Sequence, residues 1–246
     1  MAHAAKNAKR SVKATRKTPP AAVPAILLAD EPREEDNTAA HRRVLWSYIT
    51  LLVAGVLIGA GATTLAVMHV HGMAPWEAHT FTIINGARLP DWVALQIAKP
   101  LSNAVWGIVG LVVACLLVPK LRIRSWQYAV AAGSTYVVTA LIEHGVGRLR
   151  PEGLTHDVVL RASQGGPGFP SGHVAVLLAL CLTVWPLVSW PWRLLLAAMV
   201  LAEAWSRVFL GVHTPLDVIG AIGVGCSVVA VMHLLPRRFR SFFRLA

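Results

Sequence analysis

The chain has 246 residues, of which 55% are hydrophobic and 14% charged, with 23 Lys and Arg against 12 Asp and Glu for a formal charge of +11. Soluble domains usually carry about 25% charged residues, so an ordinary soluble enzyme, a disordered protein and a three-cysteine disulfide scaffold are all excluded. A basic balance on a soluble surface would suggest nucleic acid; joined to this apolar mass it points to a membrane, and no nucleic-acid partner is expected.

Residues 1–43 hold nine basic residues and five acids, the acids clustered between Asp30 and Asp36. Pro19, Pro20 and Pro24 interrupt a stretch with few large apolar side chains. Such a segment cannot bury enough surface to offset its ordering entropy, so it reads as a disordered basic tail. The basic region is too long for a signal peptide, and the apolar run behind it is longer than an h-region, which favours an uncleaved anchor.

Six apolar segments follow, at roughly 45–69, 93–118, 125–143, 172–190, 193–209 and 215–235. A helix crossing a bilayer needs about 20 mainly apolar residues, so the expected fold is all-α, a bundle of six transmembrane helices over 44–236. A stretch from Trp76 to Ile84 reads as a short interfacial helix, and Lys99-Pro100 as a kink in the second span. Trp46, Trp76, Trp92, Trp126, Trp190 and Trp192 fall at span ends, as an interfacial belt does. Gly220, Gly223 and Gly225 in the last span allow close helix packing. Residues 237–246 form a second basic tail with four arginines.

Orientation is read from basic residues in short connections. Both tails are basic, and so is the link carrying Lys120, Arg122 and Arg124. An even number of spans then puts both termini in the cytoplasm of a cell membrane. The opposite loop, 144–171, nevertheless carries Arg148, Arg150 and Arg161. Arginines on that side call for a reason, and an anionic ligand supplies one.

Three short stretches meet that outer face: Arg148-Leu149-Arg150-Pro151, Phe169-Pro170-Ser171-Gly172-His173, and Ser206-Arg207 through His213 to Asp217. His213 and Asp217 are four apart, so on a helix they share a face and the carboxylate can hold one ring N–H. That fixes the tautomer and leaves the other nitrogen as nucleophile. Ser171-Gly172 opens a helix, where free N–H groups and the dipole favour phosphate. Arg150 and Arg207 can grip phosphoryl oxygens in bidentate fashion. His173, inside the same helix start, is placed to protonate a leaving oxygen. Positioning and positive charge are what phosphoryl transfer chiefly needs.

Pro170-Ser171-Gly172-His173 followed by Ser206-Arg207-x5-His213-x3-Asp217 resembles the second and third motifs of the type-2 phosphatidic acid phosphatase superfamily. The resemblance covers roughly residues 45–235, and that family has a six-span lipid-phosphatase branch. It implies that His213 forms a phosphohistidine, Asp217 orients it and His173 protonates the leaving group. It also implies that Arg150, Arg207, Ser171 and Gly172 bind the phosphate, with no metal and no cofactor. The first motif departs from the family: the lysine seven residues before the arginine of Arg-Pro is Glu143 here. Either Arg148 supplies the missing cation, or Glu143 pairs with a nearby arginine and tunes it, or the site binds lipid phosphate and turns it over poorly.

Glu203, four residues before Arg207, reads as its intrahelical ion-pair partner; Ser206 and Pro170 are further supports. His69, His71 and His79 match no closed metal-site spacing. Cys115, Cys181 and Cys226 fall inside apolar spans and act as small hydrophobes. The expected activity is removal of a terminal phosphate from a lipid phosphate or diphosphate: polyprenyl diphosphate, phosphatidic acid or phosphatidylglycerol phosphate. Phosphotransfer to another acceptor and non-catalytic lipid-phosphate binding stand as alternatives. A vanadium haloperoxidase shares the constellation but not the spans. Oligomeric state is not legible in the sequence.

Overall fold

A computed structural model describes residues 34–90, 92 and 125–235. The chain divides between His41 and Arg42, and the description below concerns the unit from Arg42 onward. The described residues form seven α-helices and no strand. These are α1 (Glu34–Met68), α2 (Pro75–Asn85), α3 (Ser125–Val146), α4 (Pro151–Leu154), α5 (Gly172–Val184), α6 (Trp190–Phe209) and α7 (Pro215–Leu234). A single 3₁₀ turn, Trp185–Leu187, follows α5.

α1 begins at Glu34, so 34–43, the end of the expected disordered tail, is helical. The rest of that tail, the second apolar segment with Lys99-Pro100, and 237–246 lie outside the described residues. The interfacial helix expected from Trp76 is α2, which starts at Pro75, a residue that suits a first helical position.

Among the described residues, two helices are long and apolar enough to cross a membrane, α1 from Thr38 to Met68 and α7. The others fall short for visible reasons. α3 carries Gln127, Ser134, Thr135, Thr139, Glu143 and His144 among its apolar residues. α5 runs for 13 residues before Pro186, which cannot donate to a helical ladder, turns the chain into the 3₁₀ segment. α6 includes Arg193, Glu203 and Arg207.

α5 is apolar on all sides and sits at the centre, packed on α3, α6 and α7, as a helix without a polar face requires. Val174, Ala175, Ala179 and Ala221 are completely enclosed there. α1 crosses α7 where Gly223 meets the backbone of Gly59: a Cβ on Gly223 would run into the Gly59 N and Cα. Small residues let two backbones touch in this way. Leu57, Val67 and Met68 on α1, Leu195 and Leu201 on α6, and Trp46, Trp190 and Trp192 are exposed, an apolar exterior that water would not favour.

The loops around the ends of α2 and α6 are held by two polar hubs. Asn85, at the end of α2, donates to the carbonyls of Val159, Val208 and Phe209 and accepts from the Val159 N–H at 2.8 Å. Arg161 donates to the carbonyls of Asn85, Ala87 and Phe209 and stacks 4.1 Å over the Phe209 ring. Gly211 completes the corner with φ +77; a side chain there would also strike the Val159 carbonyl. The charge of Arg161 therefore serves the loop itself and needs no anionic ligand.

Candidate active site

The chain reaches the site through a turn. Thr214 caps α7, its hydroxyl accepting from the Asp217 N–H at 3.3 Å while Asp217 Oδ2 accepts from the Thr214 N–H at 2.7 Å. This reciprocal capping satisfies two N–H groups that the helix start leaves unpaired. It also corrects the expectation that His213 and Asp217 share a helical face. α7 starts at Pro215, so His213 precedes the helix, and the capping turn is what brings it over the carboxylate.

His213 is almost completely buried. Its Nδ1 lies 2.8 Å from the carbonyl oxygen of Gly168 and 3.5 Å from Asp217 Oδ2. A carbonyl can only accept, so Nδ1 carries the proton and Nε2 keeps its lone pair. That Nε2 faces Arg150 Nη1 at 3.3 Å. Burial lowers the imidazole's affinity for a proton from its ordinary value; Asp217 pulls the other way, and Arg150 and Arg207 add to the lowering. The result is an oriented imidazole whose lone-pair nitrogen Nε2 points toward a cation.

Arg150 is 6% exposed and hung on backbone carbonyls: Val212 at 2.8 Å, Gly166 at 3.0 Å and Gly165 at 3.2 Å. Burial also lowers its pKa from the usual guanidinium value, opposed first by Glu143. Arg207 comes from the last turn of α6, where its Nε donates to Glu203 Oε1 at 2.7 Å. Both charges of that pair are nearly buried, and the expected intrahelical bridge is formed. Ser206 faces inward, its hydroxyl donating to the Glu203 carbonyl. His173, in the first turn of α5, is within electrostatic range of Arg207, His213 and Arg150.

Ser171 caps α5 by backbone alone; its N–H donates to the Asp217 carbonyl at 3.1 Å, and its buried hydroxyl has no partner among the described residues. A buried polar group in that state is the kind a ligand oxygen satisfies. The first N–H groups of α5, from Gly172 on, have no carbonyl within the helix to bond. Pro170, before them, is joined to Phe169 by a cis peptide and is buried with it.

Two expectations change in space. Arg148, expected as a substitute phosphate cation, is wholly enclosed, and each of its guanidinium nitrogens is engaged within the protein. Its position beside Arg150 in the sequence does not put it beside Arg150 in function. Glu143 instead matches the second of its three readings, with a carboxylate oxygen 3.6 Å from Arg150 Nη2. Sequence reasoning missed Gly168, Thr214 and Glu77. The Thr214-x-x-Asp217 capping pattern was readable; Gly168 acts through its backbone, and Glu77 lies 71 residues from its partner Arg148.

Residues 124–241 match the model of the PAP2 superfamily. The chain is 31% identical over 189 residues to the Escherichia coli (strain K12) protein named "Putative undecaprenyl-diphosphatase YbjG", over 67% of this chain and 89% of that one. Its fold is similar to the crystal structure of Aquifex aeolicus LpxE, with a TM-score of 0.57, 21% identity and coverage of 67% of this chain and 99% of that one. A weaker similarity, with a TM-score of 0.45 and 14% identity, is to a transmembrane PAP2-type phosphatidylglycerolphosphate phosphatase from Bacillus subtilis; it covers 79% of this chain and 96% of that one. The 31% identity to a relative matched over 89% of its length, together with the matching family model, shows that the chain belongs to the PAP2 superfamily.

Proposed function

We propose that the protein is an integral membrane phosphatase that removes the terminal phosphate of a lipid phosphate or diphosphate through a phosphohistidine on His213. The observation that carries this reading is the state of His213: Nδ1 is fixed by Gly168 and Asp217, and Nε2 is aimed at the cationic side of the site. In the first step Nε2 forms a bond to phosphorus as the bond from phosphorus to the leaving oxygen breaks. His173 gives its proton to that oxygen. Water then attacks phosphorus and passes a proton to the deprotonated His173, the P–N bond breaks, and Nε2 recovers its lone pair while inorganic phosphate leaves. Arg150, Arg207, the Ser171 hydroxyl and the N–H of Gly172 hold the equatorial oxygens, where charge accumulates.

The apolar exterior and the basic tails support six spans with both termini in the cytoplasm and the site at the outer face. A lipid then reaches the phosphate site from the side with its chains still in the bilayer. Polyprenyl diphosphate is the preferred substrate in this reading, in line with the name of the E. coli relative. Purified protein in detergent, assayed with EDTA for phosphate release from polyprenyl diphosphate, phosphatidic acid and phosphatidylglycerol phosphate, tests it. Wild type should release phosphate and His213→Ala should not; wild-type turnover by His213→Ala would overturn the mechanism.

A further inference from the structure

A buried chain of charges leads away from the site. Glu77 on α2 is fully enclosed, with its oxygens 3.0 and 2.9 Å from Nη1 and Nη2 of Arg148. Arg148 Nη1 also donates at 2.9 Å to Asp217 Oδ1 and to the Thr214 hydroxyl. Its remaining bonds go to the carbonyls of His69 and Gly72, in the turn between α1 and α2. The other oxygen of Asp217, Oδ2, faces the Thr214 N–H and His213 Nδ1. One guanidinium is thus shared by two carboxylates, and one of those carboxylates adjoins the histidine.

We propose that Glu77 is a positioning residue for His213, acting through Arg148 and Asp217, so that the short helix α2 outside the bundle supports the nucleophile. With Glu77 in place, the cation between it and Asp217 is balanced from two sides, and Asp217 stays strongly attractive to the ring N–H. Without the charge of Glu77, Arg148 is balanced by Asp217 alone, and the potential at His213 becomes more positive. Burial makes the effect large: buried ion pairs are poorly screened, and removing one member leaves the other uncompensated. Glu77 also accepts from the Ala74 N–H at 3.3 Å at the start of α2, so the same carboxylate fixes where that helix begins.

The proposal rests on His213 being the nucleophile, and its test separates the two ideas. The other groups near His213 are Asp217 on α7, Arg150 after α3, Arg207 on α6 and His173 on α5. Glu143 on α3 also acts on Asp217. All of them stay unchanged in the variants. Phosphate release from the best lipid of the panel is measured against pH for wild type, Glu77→Gln, Glu77→Asp and Glu77→Gln/Arg148→Met, each on the monodisperse fraction in detergent. The position of the acid limb of kcat/KM is read, because it does not depend on how much protein is active.

Glu77→Gln should move that limb down by about half a pH unit or more, the scale on which a nearby charge acts, and lower the plateau rate. Glu77→Asp keeps the charge and should keep the limb, even if it costs stability. The double variant removes one charge of each sign and should return the limb toward wild type. A limb unmoved in Glu77→Gln, or moved alike in Glu77→Gln and Glu77→Asp, would overturn the proposal, since shape rather than charge would then account for the residue. Absence of turnover in wild type itself would instead sink the phosphatase reading.

Discussion

His213 Nδ1 is closer to the backbone carbonyl of Gly168, at 2.8 Å, than to the carboxylate of Asp217, at 3.5 Å. The ring is therefore oriented twice, once by a group that no side-chain substitution removes. In triads where a carboxylate alone sets the tautomer, changing it to an amide costs about 10⁴ in rate. Here Asp217→Asn should cost less, about 10–100-fold in single-turnover phosphate release, because Gly168 still holds the proton on Nδ1. A loss equal to that of His213→Ala would show that the carbonyl does not hold the ring.

The pH dependence of wild type follows from the same geometry. Burial, Arg150 and Arg207 lower the His213 pKa, and Asp217 only partly opposes them. A nucleophile whose folded pKa is depressed stays neutral to lower pH, so activity should persist below the ordinary imidazole value of about 6.5. A kcat/KM profile whose acid limb lies above that value would contradict the burial argument.

Glu143 stands 3.6 Å from Arg150 at the edge of the site, and its side chain is 23% exposed. A carboxylate there competes with phosphate for the same guanidinium. Glu143→Gln should lower KM several-fold, with a tenfold change corresponding to about 1.4 kcal/mol. Initial rates across lipid concentration measure it; an unchanged KM would mean that Glu143 and phosphate do not share Arg150.

The Glu203–Arg207 bridge is 2.7 Å long, and both side chains are 4% exposed. Glu203→Gln keeps one hydrogen bond to Arg207 but removes the negative charge of this partner. Loss of one partner in a buried pair costs about 3–5 kcal/mol when nothing replaces it, so the amide should cost somewhat less and lower kcat/KM as well. Thermal unfolding in detergent together with turnover checks both effects.

Gly223 packs against the backbone of Gly59 with no room for a Cβ. Gly223→Val should separate α1 from α7 and destabilise the protein by about 1–3 kcal/mol, the usual cost of overpacking. The site residues are elsewhere, so the loss should appear in the thermal midpoint before it appears in KM.

Much of the molecule was legible in its sequence because the signals are local. The capped and proline-marked starts at Pro75 and Pro215, the uniformly apolar run of α5, and the Glu203–Arg207 spacing each depend on residues within one or two turns. The motif residues Ser171, His173, Arg207 and His213 stand out by type and spacing, within the stretch that matches the family model.

What the sequence alone determined is the class of protein: an apolar helical chain with histidines and arginines in the motif spacing of its family. The fold decided which charges serve that set. Arg148 and Arg150 are two residues apart, yet Arg148 turns to Glu77 and Asp217 while Arg150 turns to His213. Arg161, in the same loop, is spent on carbonyls. A buried guanidinium must find partners wherever the packing places them, and for Arg148 they lie 66 to 79 residues away. Separations of that size leave no periodic trace in the chain, so the roles of the arginines emerge only when the helices have come together.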